Sequence, residues 1–174
     1  MQLLMFLFID GASFIDDSDP RWEIFVILEH VNGVPRYLVG YATVYPFLAM
    51  RPGKPRDAFF AERIRVSQVF VLPRYQRGGH GSRLLTAIYK NSHQRGAFEV
   101  TVEDPSEGFR LLRDITDLRR AYEAGVLHAD LSSDLEAHAT ILASMRERLL
   151  LTKAQARRCL EVHNLRFVDR ENAE

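Results

Sequence analysis

The apolar positions of this chain come first in short aromatic and β-branched runs and later at helical spacing, so strands are expected early and helices late. Leu3 to Ile9 reads as a buried strand. Trp22 to His30 (WEIFVILEH) reads as another, ended by Asn32-Gly33, a pair that tolerates the positive φ of a tight hairpin turn. A partner strand runs from Arg36 to about Tyr45, and 48–58, rich in proline, glycine and basic residues, is expected to be an exposed loop. Ile64 to Leu72 is a third strong strand, stopped by Pro73. From Gly81 to about Arg95, Leu84, Leu85, Ile88 and Tyr89 mark an amphipathic helix, and Phe98 to Val102 a short strand. Phe109, Leu112, Ile115 and Leu118 predict a helix ending at Gly125, and two more are expected over 132–149 and 153–163. Thr152 with Gln155 makes a capping box for the last. The order predicts a mixed α/β domain: a mostly antiparallel sheet with flanking helices over 1–128, and a helical extension over 129–174 packed on or beside it.

Composition changes this little, and charge changes it more. The 174 residues are 47 % apolar, ordinary for a globular domain. No Lys or Arg precedes the Leu3–Ile9 run and Asp10 cuts it short, so it does not read as a signal peptide; a soluble intracellular protein is expected. The lone Cys159 excludes an internal disulfide. The net charge is zero, which argues against bulk attraction to nucleic acid or membrane. That zero hides blocks: 1–50 carries 2 basic and 6 acidic side chains, 51–100 carries 10 and 3, and 101–150 carries 6 and 10.

The candidate chemistry centres on Val69–Ser82 (VFVLPRYQRGGHGS), a strand, a glycine-rich turn and a helix start. Gly78, Gly79 and Gly81 leave backbone N–H groups unobstructed where the helix dipole favours an anion. The segment matches neither the Walker pattern nor the dinucleotide fingerprint. From the glycines alone a tight turn and a phosphate cradle are both open; Arg74, Arg77 and Arg83 favour the cradle. The pair Glu103-Asp104 at a strand end is open in the same way, as a solvated turn or helix cap, or as an acid–base pair.

Gln76-Arg77-Gly78-Gly79-His80-Gly81 resembles the pyrophosphate-binding loop of the GNAT superfamily of N-acetyltransferases. Phe14–Asp17 with Pro20-Arg21-Trp22, Gly40-Tyr41 with Thr43-Val44-Tyr45, Val66-Ser67-Gln68, Val102-Glu103-Asp104-Pro105, Leu112-Arg113-Asp114 and Ala156-Arg157-Arg158 are similar to the type B histone acetyltransferase catalytic subunit, across nearly the whole chain. The resemblance implies a GNAT-like fold and transfer of acetyl from acetyl-CoA, with no metal, to a lysine of an H-four-type histone tail. It implies Glu103 as general base supported by Asp104 and Asp10. Val69, Phe70 and Val71 would lie along the pantetheine arm. Gln76, Arg77, Gly78, Gly79, His80, Gly81 and Ser82 would wrap the pyrophosphate, with Ser106 and Phe109 on the cofactor's other side.

Trp22, Tyr45, Pro46 and Phe47 would receive the tail, with Asp16 and Asp17 complementing its charge. A main-chain N–H near Phe70–Val71 would polarise the thioester oxygen. His80 reads as a loop residue, and Cys159 and Tyr122 as packing residues. The expected partners are the histone tail and a histone-chaperone subunit, without direct nucleic acid or membrane contact, in nucleus and cytoplasm. The family has further sequence upstream of the strand that follows Met1, so a fragment or a shortened homologue is expected. Other protein or small-amine substrates, and a non-catalytic coenzyme A binder, are the alternatives.

Overall fold

The computed structural model describes residues 14–16, 18–51, 53–128 and 135–171. The strand read at Leu3–Ile9 lies outside them. Strands β1 (Glu23–Val31) and β2 (Val34–Met50) form an antiparallel hairpin. Its turn carries Asn32 at φ 52 and Gly33 at φ 78, the double positive φ that suits the strand twist. Strand β3 (Phe60–Val71) runs antiparallel to β2, and β4 (Glu99–Val102) joins parallel to β3, giving the order β1-β2-β3-β4. The expected loop at 48–58 begins later, because β2 continues to Met50 paired with Phe60. Pro46 is tolerated inside this strand because β1 pairs no further than Val44, so that among the described residues this stretch of β2 is a sheet edge.

Helix α1 (His80–Gln94) crosses from β3 to β4 and buries Leu84, Leu85, Ile88 and Tyr89 against the sheet. Helix α2 (Glu107–Glu123) begins at the Ser106 cap and ends before Gly125, which takes φ 64. The helix lies where its apolar spacing places it, but its innermost face differs. Ile115 is 48 % exposed, whereas Arg113, Asp114, Thr116, Asp117 and Ala121 are buried. Asp117 accepts hydrogen bonds from the Tyr89 hydroxyl at 3.1 Å and from Arg120 at 3.3 Å, with the Arg113 Nε 3.4 Å away. Arg113 also donates to the carbonyl of Val100 at 2.9 Å, tying α2 to the sheet. Such a network is tolerated inside because its groups partner one another.

Helices α3 (Leu135–Leu149) and α4 (Lys153–Glu171) complete the described chain. Ile141, Met145, Leu149, Leu151, Ala156, Cys159 and Leu160 share one hydrophobic cluster with Val44, Val66 and Val100 of the sheet. Leu151 also bridges Val100, whose N–H donates to the Leu150 carbonyl at 2.8 Å. Thr152 caps α4 by accepting from the Gln155 N–H at 3.1 Å. The reciprocal half of the expected capping box is replaced: the Gln155 amide donates to Asp114 at 3.0 Å, and Arg158 donates to the same carboxylate at 2.6 Å. Among the described residues no helix is long and apolar enough to cross a membrane.

Burial pushes the Cys159 thiol up to about 12, with Asp117 and Asp114 adding to the effect. A raised folded-state value means its contribution to stability is intact below the ordinary thiol value of about 8.5 and is lost as pH rises from there. Iodoacetamide should therefore leave Cys159 unmodified in the native protein from pH 7 to 9 and alkylate it once urea unfolds the chain. Rapid native labelling would place the thiol at the surface.

Candidate active site

The candidate site is the gap that opens where β3 and β4 part. Strand β4 pairs with β3 only from Arg63 to Val66, and the last link is the Glu103 N–H donating to the Val66 carbonyl at 2.9 Å. Beyond it Asp104 takes φ 34, Pro105 has no N–H to offer, and Ser106 starts α2, its hydroxyl accepting from the Phe109 N–H at 3.3 Å. β3 meanwhile runs on to Val71. The result is a cleft of about 530 Å³ walled by Val66–Val71 and Gln76 on one side and Val102–Ser106 with Phe109 on the other.

A β-bulge shapes the first wall. Thr43 pairs with Gln68 and Val44 with Val66, which leaves Ser67 without a partner on β2. The extra residue reverses the faces of β3. Ile64 and Val66 point into the main core before it; after it Val69 and Val71 do so, and Phe70 packs with Tyr41 in a separate cluster. The Leu72 N–H donates to the Val39 carbonyl, so the alternating ladder bonds Phe70 to Tyr41 and turns the main-chain groups of Val69 and Val71 toward the cleft. The Val71 carbonyl accepts there from the Gln76 amide at 3.0 Å.

At the end of β4, Glu103 faces this edge. Its Oε2 accepts from the Ser67 hydroxyl at 2.6 Å, and Arg65 Nη1 lies 3.9 Å from Oε1. The side chain stays 46 % exposed, open to an incoming group. Asp104 lines the same cleft. Asp10, expected as its companion acid, lies outside the described residues, as does Asp17.

At the mouth, a 3-10 turn (Pro73–Tyr75) leads into the glycine loop. Arg77 takes φ 60 and Gly79, the N-cap of α1, takes φ 78. No side chain caps α1 and no acid occupies its first turn, so its leading N–H groups face no competing carboxylate. A Cβ on Gly78 would stand 3.1 Å from the His80 ring, and one on Gly81 3.0 Å from the Leu112 side chain. His80 is the first residue of α1 rather than a loop residue; its ring meets Tyr75 edge-on, and its Nδ1 is buried without a hydrogen-bond partner among the described residues. The Ser82 hydroxyl is engaged with Thr116 at 2.8 Å, leaving its main chain to the loop. Open amides, an orphaned ring nitrogen and neighbouring arginines fit an anionic group of pyrophosphate type, and the adjoining cleft along the free edge of β3 fits a linear arm.

The aromatic residues expected to take substrate form a second region. Trp22 packs on Tyr45 with the rings tilted by 59° and their centroids 4.9 Å apart, and the Tyr45 hydroxyl donates to Asp19 at 2.9 Å. Hydrogen bonds from Arg21 hold the Asp19 carboxyl well below the usual range. Asp16 is exposed and accepts from the Ser18 N–H and hydroxyl. Pro46 and Phe47 line a groove of about 650 Å³ with Pro20, Arg21, Glu23 and Leu48, among others. Arg65 lies over the Phe47 ring at 5.0 Å, so one guanidinium connects this region to Glu103. Tyr122 is away from the cleft, bonded to His163 at 2.6 Å and packed on the core. Ser67 and Arg65 carry no role in the sequence reading, because what an ejected strand residue meets depends on pairing with β2 and β4. Among the described residues no cluster of three or more His, Cys, Asp or Glu is placed to hold a metal.

Residues 5–109 match the sequence profile of the Acetyltransferase (GNAT) family. Over 94 % of its length the chain is 34 % identical to a histone acetyltransferase type B catalytic subunit of Dictyostelium discoideum, covering 34 % of that protein. Against the protein of that name from Kluyveromyces lactis it is 36 % identical over 93 % of the chain and 42 % of the relative. For Mycosarcoma maydis the values are 35 %, 97 % and 38 %. The chain thus spans well under half the length of these curated relatives.

The glycine loop yields a direct test. Gly79→Ala meets no atom within 4 Å but must adopt φ 78. That conformation costs an L-residue about 1–2 kcal/mol, and urea unfolding should show the loss. An unchanged midpoint would mean the loop is not held this way in solution.

Proposed function

Since this chain belongs to the GNAT acetyltransferase family, we propose that it moves acetyl from acetyl-CoA to a lysine ε-amine of an H-four-type histone tail by direct attack in a ternary complex. The observation that carries this reading is the Glu103 carboxylate held on the wall of a cleft whose mouth is the uncapped glycine loop. When bound, acetyl-CoA supplies an acyl carbon that the amine nitrogen attacks, the C–S electron pair leaving on sulfur. Gln76 to Ser82 and the α1 N-terminus hold its pyrophosphate. Val69 and Val71 offer their cleft-facing main-chain groups to its pantetheine arm, with Phe70 between them, and Ser106 and Phe109 close the other side. A main-chain N–H of this strand polarises the thioester oxygen.

A lysine ammonium titrates near 10.4, so at neutral pH it must lose a proton before it is nucleophilic. Glu103 takes that proton, the second proton that the nitrogen sheds on acylation passes through solvent to the departing thiolate, and Asp104 and Asp10 add negative charge that favours the arriving cation. The buried Cys159 thiol, raised as it is, does not suit a covalent acetyl-enzyme. Trp22, Tyr45, Pro46 and Phe47, with Asp16 and Asp17, receive the tail. The relatives' name supports the histone, and its word "subunit" supports a partner, for which we propose a histone chaperone. The proposed compartments are nucleus and cytoplasm, without direct nucleic acid or membrane binding.

Incubation with acetyl-CoA and core histones, read by mass spectrometry beside a polyamine control, tests substrate and site together. Glu103→Gln should lower kcat at least about 100-fold while coenzyme A affinity, measured by calorimetry, stays within about twofold. A wild-type rate in that variant would remove Glu103 from the mechanism. Preference for the polyamine would move the protein to a small-amine substrate, and cofactor binding without any product would make it a binder.

A further inference from the structure

We infer that Ser67 is a positioning residue for the base: the bulge in β3 aims its hydroxyl at Glu103 Oε2, which fixes the carboxylate and leaves Oε1 to take the proton. The inference rests on the reading of Glu103 as the base.

Three observations carry it. The bulge is the one interruption in the β2–β3 register, and the residue it ejects is the one that reaches Glu103. One-residue bulges re-aim side chains beside sites of this kind, at the cost of a ladder bond. The bond itself is short, 2.6 Å, as expected for an O–H donating to a carboxylate. The two oxygens are also unequal. Oε2 is occupied by Ser67, whereas among the described residues Oε1 accepts no hydrogen bond, Arg65 Nη1 standing 3.9 Å away. Oε1 thus keeps its lone pairs for a proton on the substrate nitrogen.

Among the described residues, the charged groups about Glu103 are Arg65 from β3 and Asp104 from its own loop. Arg65 is half exposed and shared with the Phe47 ring, so Ser67 is the fixed member of this set. Removing its donor frees the carboxylate to rotate.

The test is Ser67→Ala against Ser67→Thr, with an H-four-type tail peptide and acetyl-CoA. In Ser67→Ala, kcat/KM at pH 7 should fall about tenfold, the effect of losing a hydrogen bond to a charged group, and its pH profile should depart from that of the wild type. Coenzyme A affinity should stay within twofold. In the cofactor-free protein the Glu103 carboxyl ¹³C resonance should shift in Ser67→Ala and return in Ser67→Thr, together with the wild-type pH profile. Should Ser67→Ala melt early, Ser67→Cys carries the same comparison at nearly constant volume. A Ser67→Ala profile that overlays wild type, while Glu103→Gln abolishes turnover, overturns the positioning role and leaves the base standing. Wild-type turnover in Glu103→Gln overturns both.

Discussion

The site depends on where one ladder of hydrogen bonds stops. The Glu103 N–H to Val66 carbonyl bond is the last between β3 and β4. After it, Asp104 at positive φ, Pro105 without a donor and the Ser106 cap turn the chain into α2. β3 continues alone, and main-chain groups that would have met β4 face a cleft. A buried strand edge is unfavourable unless something pairs with it. An extended ligand with amide groups is one solution, and the cleft lies along that edge. The same termination delivers Glu103 to the wall, so the binding edge and the carboxylate share one cause.

Keeping the gap open requires that the strands be anchored elsewhere. The polar interface of α2 does this. Arg113 holds the Val100 carbonyl, Asp117 gathers Tyr89 and Arg120, and Asp114 holds Gln155 and Arg158 of α4. Leu150 and Leu151 add a short bridge on the outer side of β4. The helical extension thereby braces the strand whose end bears Glu103. The neutral net charge resolves in the same frame. The basic 51–100 block contains the glycine loop, and the acidic 101–150 block contains Glu103 and Asp104.

Much of this is legible in the residues. Asn32-Gly33, Gly125, the apolar stripe of α1 and the short Glu99–Val102 strand are local signals, and each corresponds to an observed element. The glycine loop and Glu103-Asp104-Pro105 mark the two rims of the cleft in the sequence. What stays hidden depends on pairing. Pro46 belongs in a strand only because β1 ends before it. The inner face of α2 is charged only because partners arrive from α1, α4 and the sheet. Ser67 matters only because a register shift turns it toward Glu103, 36 residues later in the chain.

The open edge of β3 is the centre of this picture, and amide hydrogen exchange tests it most directly. With coenzyme A added, the amides of Val69 and Val71 and of Gly78 to Ser82 should slow markedly, while Gln68 and Phe70, already paired with β2, should change little. Protection confined to the groove at Phe47, with Val69 and Val71 unchanged, would contradict it.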